Sequence, residues 1–208
     1  MRYFILCLLC VTFNCLAAIG TITDQVNKPP EIARAKATIS GSKGTGVEMN
    51  DTIKTALGKA DITFVDDTKV SVNENSRLVI DDFVYDPKKS DAGKLVLKAT
   101  MGTVRYASGQ IAKNNPQSVD IKTPTAAIAV RGTDFTMTVD EAGASLVVLL
   151  PSCKDEKSVK QYELEENTCA VGKIDVTTAG GTVTLDQAFQ GTFIIGGNID
   201  RKSTRLNS

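Results

Sequence analysis

The stretch "IKTPTAAIAVRGTDFTMTV", residues 121–139, contains apolar and polar side chains that alternate like those of a β-strand, but the alternation changes phase at residues 131–134. Ile128 and Val130 are even-numbered, whereas Phe135, Met137 and Val139 are odd-numbered. Successive side chains of a strand point to opposite faces, so a buried face changes parity only at an extra residue or a turn. We therefore predict a bulge or corner at residues 131–134, where Gly132 accommodates an unusual backbone at least cost.

Apolar and polar residues alternate in most other segments of the chain as well. The alternating apolar residues include Ile62 and Phe64, Val70 and Val72, Leu78 and Ile80, Leu95 and Leu97, Val104 and Tyr106, and Val119 and Ile121. No long window shows a 3.6-residue apolar period, and the best helical candidate, residues 49–58, is short. The pattern predicts an all-β fold of many short strands.

The change of parity recurs at Gly-Thr steps. It falls at Gly102-Thr103 and at Gly181-Thr182 as well as at Gly132-Thr133, so the steps lie 30 and 49 residues apart. Removing a segment of roughly 19 residues around Cys153 brings the second interval back to about 30. This spacing favours a strand-corner-strand unit used at least three times, either wrapped into a β-sandwich or stacked as a short β-solenoid.

The composition argues against catalysis. The 208 residues contain no His and no Trp, and aromatic residues make up 5%. Triads and most catalytic zinc sites need His, and platforms that stack bases or sugar rings need aromatic rings. Lys and Arg together number 24, as do Asp and Glu, so no net charge attracts nucleic acid. We predict a non-enzymatic protein with no catalytic residues, cofactor or metal site, and with no nucleic-acid partner.

The N-terminus has the pattern of an export signal. Arg2 precedes an apolar stretch that is shorter than the roughly 20 residues of a membrane span, and small residues follow it. We predict a signal peptide over residues 1–17, with an uncleaved anchor or a lipidated Cys15 as alternatives. The mature chain is then expected to contain no transmembrane span and to be periplasmic or secreted.

Three further segments follow the signal peptide. Residues 18–31 contain Pro29-Pro30 and are expected to form a leader strand or linker. The β domain is predicted to occupy residues 32–199. Residues 200–208 are polar, show no strand pattern and resemble non-native sequence, so we expect a disordered tail outside the fold.

Two cysteines remain after the predicted signal peptide, Cys153 and Cys169. An exported protein with two cysteines favours a disulfide, because its compartment is oxidising; two free thiols are the main alternative, and metal ligation is less favoured. The bridge would close the loop "KDEKSVKQYELEENT", in which eight of fifteen residues are charged. Closing a loop of this size contributes about 3 kcal/mol in the chain-entropy model.

The stretch "TPTAAIAVRGTDFTMTVDE", residues 123–141, resembles the signature of the FecR domain. The residues that match the family motif are Val130, Arg131, Gly132, Thr133, Asp134 and Phe135. Upstream, the family's polar turn corresponds to Asp67-Thr68-Lys69, and a further motif corresponds to Asn73, Ser76 and Leu78. The resemblance extends over about residues 36–195 and implies a FecR-like β domain.

The resemblance also implies a location outside the cytoplasm. The best-known FecR domains form the periplasmic part of transmembrane anti-sigma regulators that receive a signal from an outer-membrane transporter. This chain shows no anti-sigma segment, full-length anchor or transporter-docking domain, so we do not expect it to carry a signal across the inner membrane alone. The resemblance implies a contact with an envelope protein or a glycan.

Two classes of function follow. The first is a non-enzymatic interaction or sensing module in the bacterial envelope, and the second is a secreted carbohydrate-binding or carbohydrate-active β protein. Arg131 is the candidate partner contact, since a guanidinium at a corner can bind a carboxylate. The alternative is that Arg131 is solvated or pairs with Asp134 or another local acid. Asp66 and Asp67 lack calcium-loop spacing and are expected to be solvated turn acids.

Overall fold

A computed structural model describes residues 18–89, 92–153 and 169–200, together with the backbone of residues 204–205. The predicted signal peptide, residues 1–17, lies outside the described residues, as does the interior of the charged loop, residues 154–168. None of the helices in the described ranges could cross a membrane.

The described chain is almost entirely β-structure, which confirms the predicted fold class. The strands are β1 Gly20–Asn27, β2 Glu31–Arg34, β3 Ala37–Ser40, β4 Gly46–Val47, β5 Thr52–Lys54, β6 Gly58–Phe64, β7 Lys69–Val72, β8 Arg77–Val84, β9 Lys94–Ala107, β10 Val119–Lys122, β11 Ala127–Arg131, β12 Asp134–Val139, β13 Ser145–Leu150, β14 Lys173–Thr178, β15 Gly181–Leu185, β16 Gln190–Ile195, β17 Asn198–Ile199 and β18 Thr204–Arg205. A short helix, α1 Gln110–Asn114, and a 3-10 turn, Pro116–Ser118, follow β9.

The strands form two layers, called sheet A and sheet B here. Sheet A has the order β4-β1-β6-β7-β9-β12-β13-β16, with β17 and β18 on the last strand. Sheet B has the order β3-β2-β5-β8-β9-β10-β11-β14-β15. Among the described strands, β9 and β10 are the one parallel pair. The chain passes repeatedly between the two sheets, so the fold has the layers of a sandwich and the stacking order of a solenoid.

One hydrophobic core lies between the sheets. The alternating residues of both sheets enter the same buried cluster, as the sequence pattern predicts. Phe64 of β6 in sheet A stacks on Phe83 of β8 in sheet B, with ring centroids 5.5 Å apart. A stacked aromatic pair of this kind adds about 1 kcal/mol beyond its buried area.

Strands also form at the two ends of the domain, in segments that the sequence predicted as a leader strand or linker and as a tail. Residues 20–27 form β1, which pairs with β6 and places Ile22 in the core. Residues 204–205, within the expected tail, pair with Gln190 and Gly191 of β16. That residues 200–208 are a non-native tail stays a prediction.

Residues 49–58, which have the best helical pattern, contain strand β5 and no helix. The reason is a contact with a distant strand, β2. The guanidinium of Arg34 donates to both oxygens of the buried Asp51 carboxylate, at 2.9 and 2.7 Å. This charge-assisted fork fixes the turn before β5 beside sheet B, and Ile53 then faces the core.

Two of the three Gly-Thr steps are corners between the sheets. The long strand β9 leaves sheet B and enters sheet A at Gly102, whose φ is 79°. The chain leaves β11 in sheet B and enters β12 in sheet A at Gly132, whose φ is 63°. Left-handed φ values favour glycine, which explains the residue type at both corners.

The third Gly-Thr step, Gly181-Thr182, is not a corner. It begins β15 just after the tight turn of the β14–β15 hairpin, and both of these strands belong to sheet B. Ile174 pairs with Leu185 there, so an even-numbered residue faces an odd-numbered one. A hairpin therefore changes parity just as a corner does, and parity cannot distinguish them. The Gly-Thr corner occurs twice in the described chain, and the interpretation of three such corners was wrong.

The two corners share one hydrogen-bonding device, which we name the Ser-Thr clasp. At the first corner, Ser76 Oγ accepts from the Thr103 N–H at 2.9 Å and lies 3.2 Å from the Thr103 carbonyl oxygen. At the second corner, Ser108 Oγ accepts from the Thr133 N–H at 2.9 Å and donates to the Thr133 carbonyl at 2.9 Å. Each clasp satisfies backbone groups of the threonine at which the chain changes sheets.

The corners differ in the space around glycine, which predicts unequal costs of substitution. A Cβ at Gly102 would lie 2.5 Å from Ser76 Cα, whereas a Cβ at Gly132 meets nothing within 4 Å. We expect Gly132→Ala to lower the free energy of unfolding by about 1 kcal/mol through its backbone conformation alone. We expect Gly102→Ala to lower it by about 3 kcal/mol, because overpacking is added. Urea denaturation measures both values, and equal losses would contradict the packed first corner.

Candidate functional site

A polar groove crosses the outer face of sheet A and encloses about 820 Å³. Its walls come from β1, β6, β7, β9 and β12, and it reaches Ser152 and Cys153 after β13. These strands expose their polar side chains because the alternate positions are committed to the core. The polar residues of the alternating pattern therefore line the groove, and the apolar residues of the same strands form the core.

The main row of the groove crosses four neighbouring strands. Asp24 of β1 lies opposite Asp61 of β6, which lies opposite Ser71 of β7. Ser71 in turn lies opposite Arg105 of β9. The row thus begins with two acidic residues and ends with a basic one.

The acidic end is incompletely neutralised. Lys43 Nζ lies 3.9 Å from an Asp24 carboxylate oxygen, and both side chains are mostly exposed. Lys59 Nζ lies 3.3 Å from Asp61 Oδ1, but this buried oxygen accepts no hydrogen bond from the described residues. Like charges opposite each other on paired strands destabilise the pairing, and two loose lysine contacts offset this only in part, so this end favours an added cation.

The basic end contains Arg105, Lys69 and Lys113. Arg105 donates to the Asp134 carboxylate at 3.3 Å, and its side chain remains 52% exposed. Burial raises the pKa of the Asp134 carboxyl, and the Arg105 guanidinium opposes that shift. The guanidinium has five N–H donors, so a single contact leaves it able to bind a second carboxylate.

The family-motif residues lie at the second corner and build the fold. Val130 and Phe135 are fully buried, and Thr133 is buried within its clasp. Phe135 packs on Tyr106 of β9, with ring centroids 5.4 Å apart. Gly172 fits closely against Thr133, since a Cβ there would lie 2.4 Å from the Thr133 Cβ. The motif therefore locks β12 onto its neighbours.

The comparisons with known proteins agree with this arrangement. Residues 51–151, from the turn before β5 to the end of β13, match the family described as FecR protein. Residues 51–151 carry a FecR domain. This confirms the resemblance over those residues, and its extension to residues 36–195 stays a prediction. No curated protein matches the chain.

Two solved structures share the fold of this FecR domain. Both are described as a candidate anti-sigma factor from Parabacteroides distasonis ATCC 8503. One has a TM-score of 0.51 at 15% identity, and the other a TM-score of 0.50 at 13% identity. Each alignment covers 73% of this chain and 59% of the other chain, so the FecR protein spans about three fifths of those structures' length.

Arg131, the motif residue predicted as a partner contact, lies on the outer face of sheet B, opposite to the polar groove. It does not pair with Asp134, which binds Arg105. Arg131 instead donates to Asp175 of β14 at 2.8 Å, and its side chain is 57% exposed. A role for Arg131 in partner binding stays a prediction.

Asp66 directly precedes the polar turn Asp67-Thr68-Lys69, and the prediction that Asp66 is a solvated turn acid was wrong. Asp66 is fully buried, and its carboxylate accepts from the Thr68 N–H at 3.1 Å, the Thr68 hydroxyl at 2.8 Å and the Ile111 N–H at 3.2 Å. Asp67 is the exposed residue of the turn, with a φ of 66°. The alternation of the flanking strands was the available signal, because Phe64, Asp66 and Thr68 share one parity.

Cys153 and Cys169 form the predicted disulfide, with Cα atoms 4.7 Å apart. Beside it, Ser152 and Ala170 exchange backbone hydrogen bonds at 2.7 and 3.2 Å. The bridge thus joins the end of β13 to the segment that leads into β14. Since Cys153 lines the groove, the bridge also fixes the chain at one end of the groove.

The buried turn predicts a contrast between adjacent acids. Asp66→Asn replaces one acceptor oxygen by a donor that faces buried N–H and O–H groups, so we expect a loss of about 2 kcal/mol in unfolding free energy. Asp67→Asn is the matched control and should change it by less than about 0.5 kcal/mol, since Asn tolerates a positive φ. Urea denaturation measures both, and equal effects would contradict the buried role of Asp66.

The Arg131–Asp175 pair predicts a pH effect. The hydrogen bond from Thr184, at 2.6 Å, lowers the pKa of Asp175, and the Arg131 charge lowers it further. The stabilisation is present above the ordinary carboxyl pKa and is lost as the pH falls through the lowered folded value. Thr184→Val and Arg131→Ala should each raise the Asp175 pKa, measured by carboxyl carbon NMR titration. An unchanged pKa in both variants would contradict this electrostatic account.

Proposed function

We propose that this FecR-domain protein is a non-enzymatic interaction or sensing module of the bacterial envelope. The polar groove of sheet A is its binding surface. The FecR family match and the likeness to structures described as candidate anti-sigma factors support a regulatory role. The partner in this proposal is an envelope protein.

The observation that carries the proposal is the charge pattern of the groove. Acidic and basic side chains stand at fixed register positions on strands whose other faces are packed in the core. Side chains on rigid strands keep their spacing without a partner, which lowers the entropic cost of binding one. A wide sheet face fits a macromolecular surface better than a small molecule.

The disulfide supports a location outside the cytoplasm. Cys153 and Cys169 are bridged, and disulfides persist mainly in oxidising compartments. The export signal predicted over residues 1–17 supports the same location, periplasmic or secreted. A mature chain without a transmembrane span is part of this proposal.

A secreted carbohydrate-binding or carbohydrate-active protein is the second candidate. The observation in its favour is that Asp24 and Asp61 lie opposite each other on neighbouring strands, and glycosidases use paired carboxylates. Against it, none of the described residues that line the groove is aromatic. Sugar recognition commonly relies on such rings, so the groove fits a protein partner better.

Photocrosslinking in the cells that produce the protein tests the binding surface. Thr23, an exposed residue of the groove, is replaced by the photoreactive residue p-benzoylphenylalanine. The matched control places the same residue at Ala129, which is exposed on the outer face of sheet B. We expect one protein adduct of defined mass from the position 23 variant and none from the control. Equal adducts from both positions would contradict the groove as the binding surface.

A glycan array and hydrolysis assays on envelope polysaccharides separate the two candidate functions. The proposal predicts no glycan-dependent signal above that of the Asp61→Asn variant. Glycan binding or hydrolysis that disappears in Asp61→Asn would favour the carbohydrate function instead.

A further inference from the structure

We infer that the groove binds an extended segment of its protein partner that carries a basic and an acidic residue about four positions apart. This inference rests on the proposed function and specifies the kind of partner. It treats the row from Asp24 to Arg105 as a two-charge recognition site. The segment lies across the strands, with its basic residue over the acidic end.

The acidic end fits a single ammonium or guanidinium group. Asp24 and Asp61 face each other across the β1–β6 pair, where two carboxylates repel. Thr23 causes an irregularity in the register of β1, and its hydroxyl lies 3.2 Å from the Asp61 carbonyl oxygen. Lys43 Nζ lies 3.9 Å from Asp24 and Lys59 Nζ lies 3.3 Å from Asp61 Oδ1, but neither contact is a hydrogen bond. A partner's cation over the two carboxylates would relieve the repulsion that these loose ion pairs leave.

The basic end fits a single carboxylate. Arg105 keeps most of its donors available beyond its one contact with Asp134. Lys69 of β7 lies opposite Ala107 of β9, and Ala107 lies opposite Asp134 of β12, so Ala107 separates Lys69 from Asp134. Lys113 of α1 approaches from the side of the groove. These three cations outnumber the two acids that line the same part of the groove, Asp67 and Asp134, so the local charge favours an incoming carboxylate.

The distance between the two ends sets the spacing in the partner. Neighbouring strands lie about 4.8 Å apart, so Asp61 and Arg105 are separated by about 10 Å and Asp24 and Arg105 by about 14 Å. An extended chain advances about 3.3 Å per residue, and residues i and i+4 lie on the same face about 13 Å apart. A basic and an acidic residue at i and i+4 therefore reach the two ends together.

The floor between the two ends suits a polypeptide backbone. Ser71 occupies the middle of the row, and the hydroxyls of Thr23 and Thr63 stand beside it, 3.3 Å from each other. These groups both donate and accept hydrogen bonds, as backbone amides do. A sugar ring would instead need an aromatic platform, and the described lining residues provide none.

Selection from a phage-displayed random dodecapeptide library tests the charge pattern. The bait is the full protein purified from the cell. We expect the enriched peptides to carry a basic and an acidic residue separated by three positions. Selection on Arg105→Glu should lose the acidic residue and gain a second basic one.

Arg131→Glu is the matched control, because Arg131 is also half exposed and also binds one aspartate through a single nitrogen, but on sheet B. It should select the same peptides as the unmodified protein. Fluorescence anisotropy with the best peptide should show at least tenfold weaker binding to Arg105→Glu and unchanged binding to Arg131→Glu. Replacing the acidic residue of that peptide by Lys should restore binding to Arg105→Glu, and an unfolded variant could not show this reversal.

The inference is overturned if no peptide is enriched, if the enriched peptides lack the two charges, or if Arg105→Glu selects the same sequences. These results can be told apart from failure of the proposed function. A protein adduct at position 23 together with any of them leaves the interaction module intact and removes only the two-charge recognition. Loss of that adduct, with glycan binding at the groove, removes the proposed function itself.

Discussion

The fold depends on the two Ser-Thr clasps, which hold the chain where it leaves one sheet and enters the other. At each corner, one serine hydroxyl accepts a hydrogen bond from the backbone N–H of the threonine at which the chain enters the second sheet. The preceding glycine adopts the left-handed backbone that the turn requires. These corners allow the apolar side chains before and after each glycine to face the same core from different sheets.

The clasps also determine the geometry of the groove. Arg105 follows the first corner by two residues, and Asp134 directly follows the second. Because each corner fixes the register of the strand after it, the pair forms only when β9 and β12 both leave their corners in the observed phase. The glycines and threonines of the two corners thus affect the surface indirectly, because they position the strands whose outward residues carry the charges.

Much of the fold could be predicted from local parity, whereas the groove could not. The alternation of side chains located the corners at Gly102 and Gly132, and the export pattern pointed to the Cys153–Cys169 bridge. The change of parity wrongly predicted a corner at Gly181, because a hairpin changes the parity of the buried residues just as a corner does. The groove combines residues from five strands that lie between residues 20 and 139, so it depends on a register that no local pattern contains. Likewise, the partner of Arg131 lies 44 residues away.

The order of the strands gives the domain a direction. In sheet A the first strand, β1, and the last long strand, β16, are separated by six steps of about 4.8 Å, which places them about 29 Å apart. Polypeptide attached before β1 and after β16 therefore emerges at separate places along the stack. The domain therefore holds its flanking segments at a fixed separation. A force that pulled these segments apart would act across each strand pair between β1 and β16, including the pairs that form the groove.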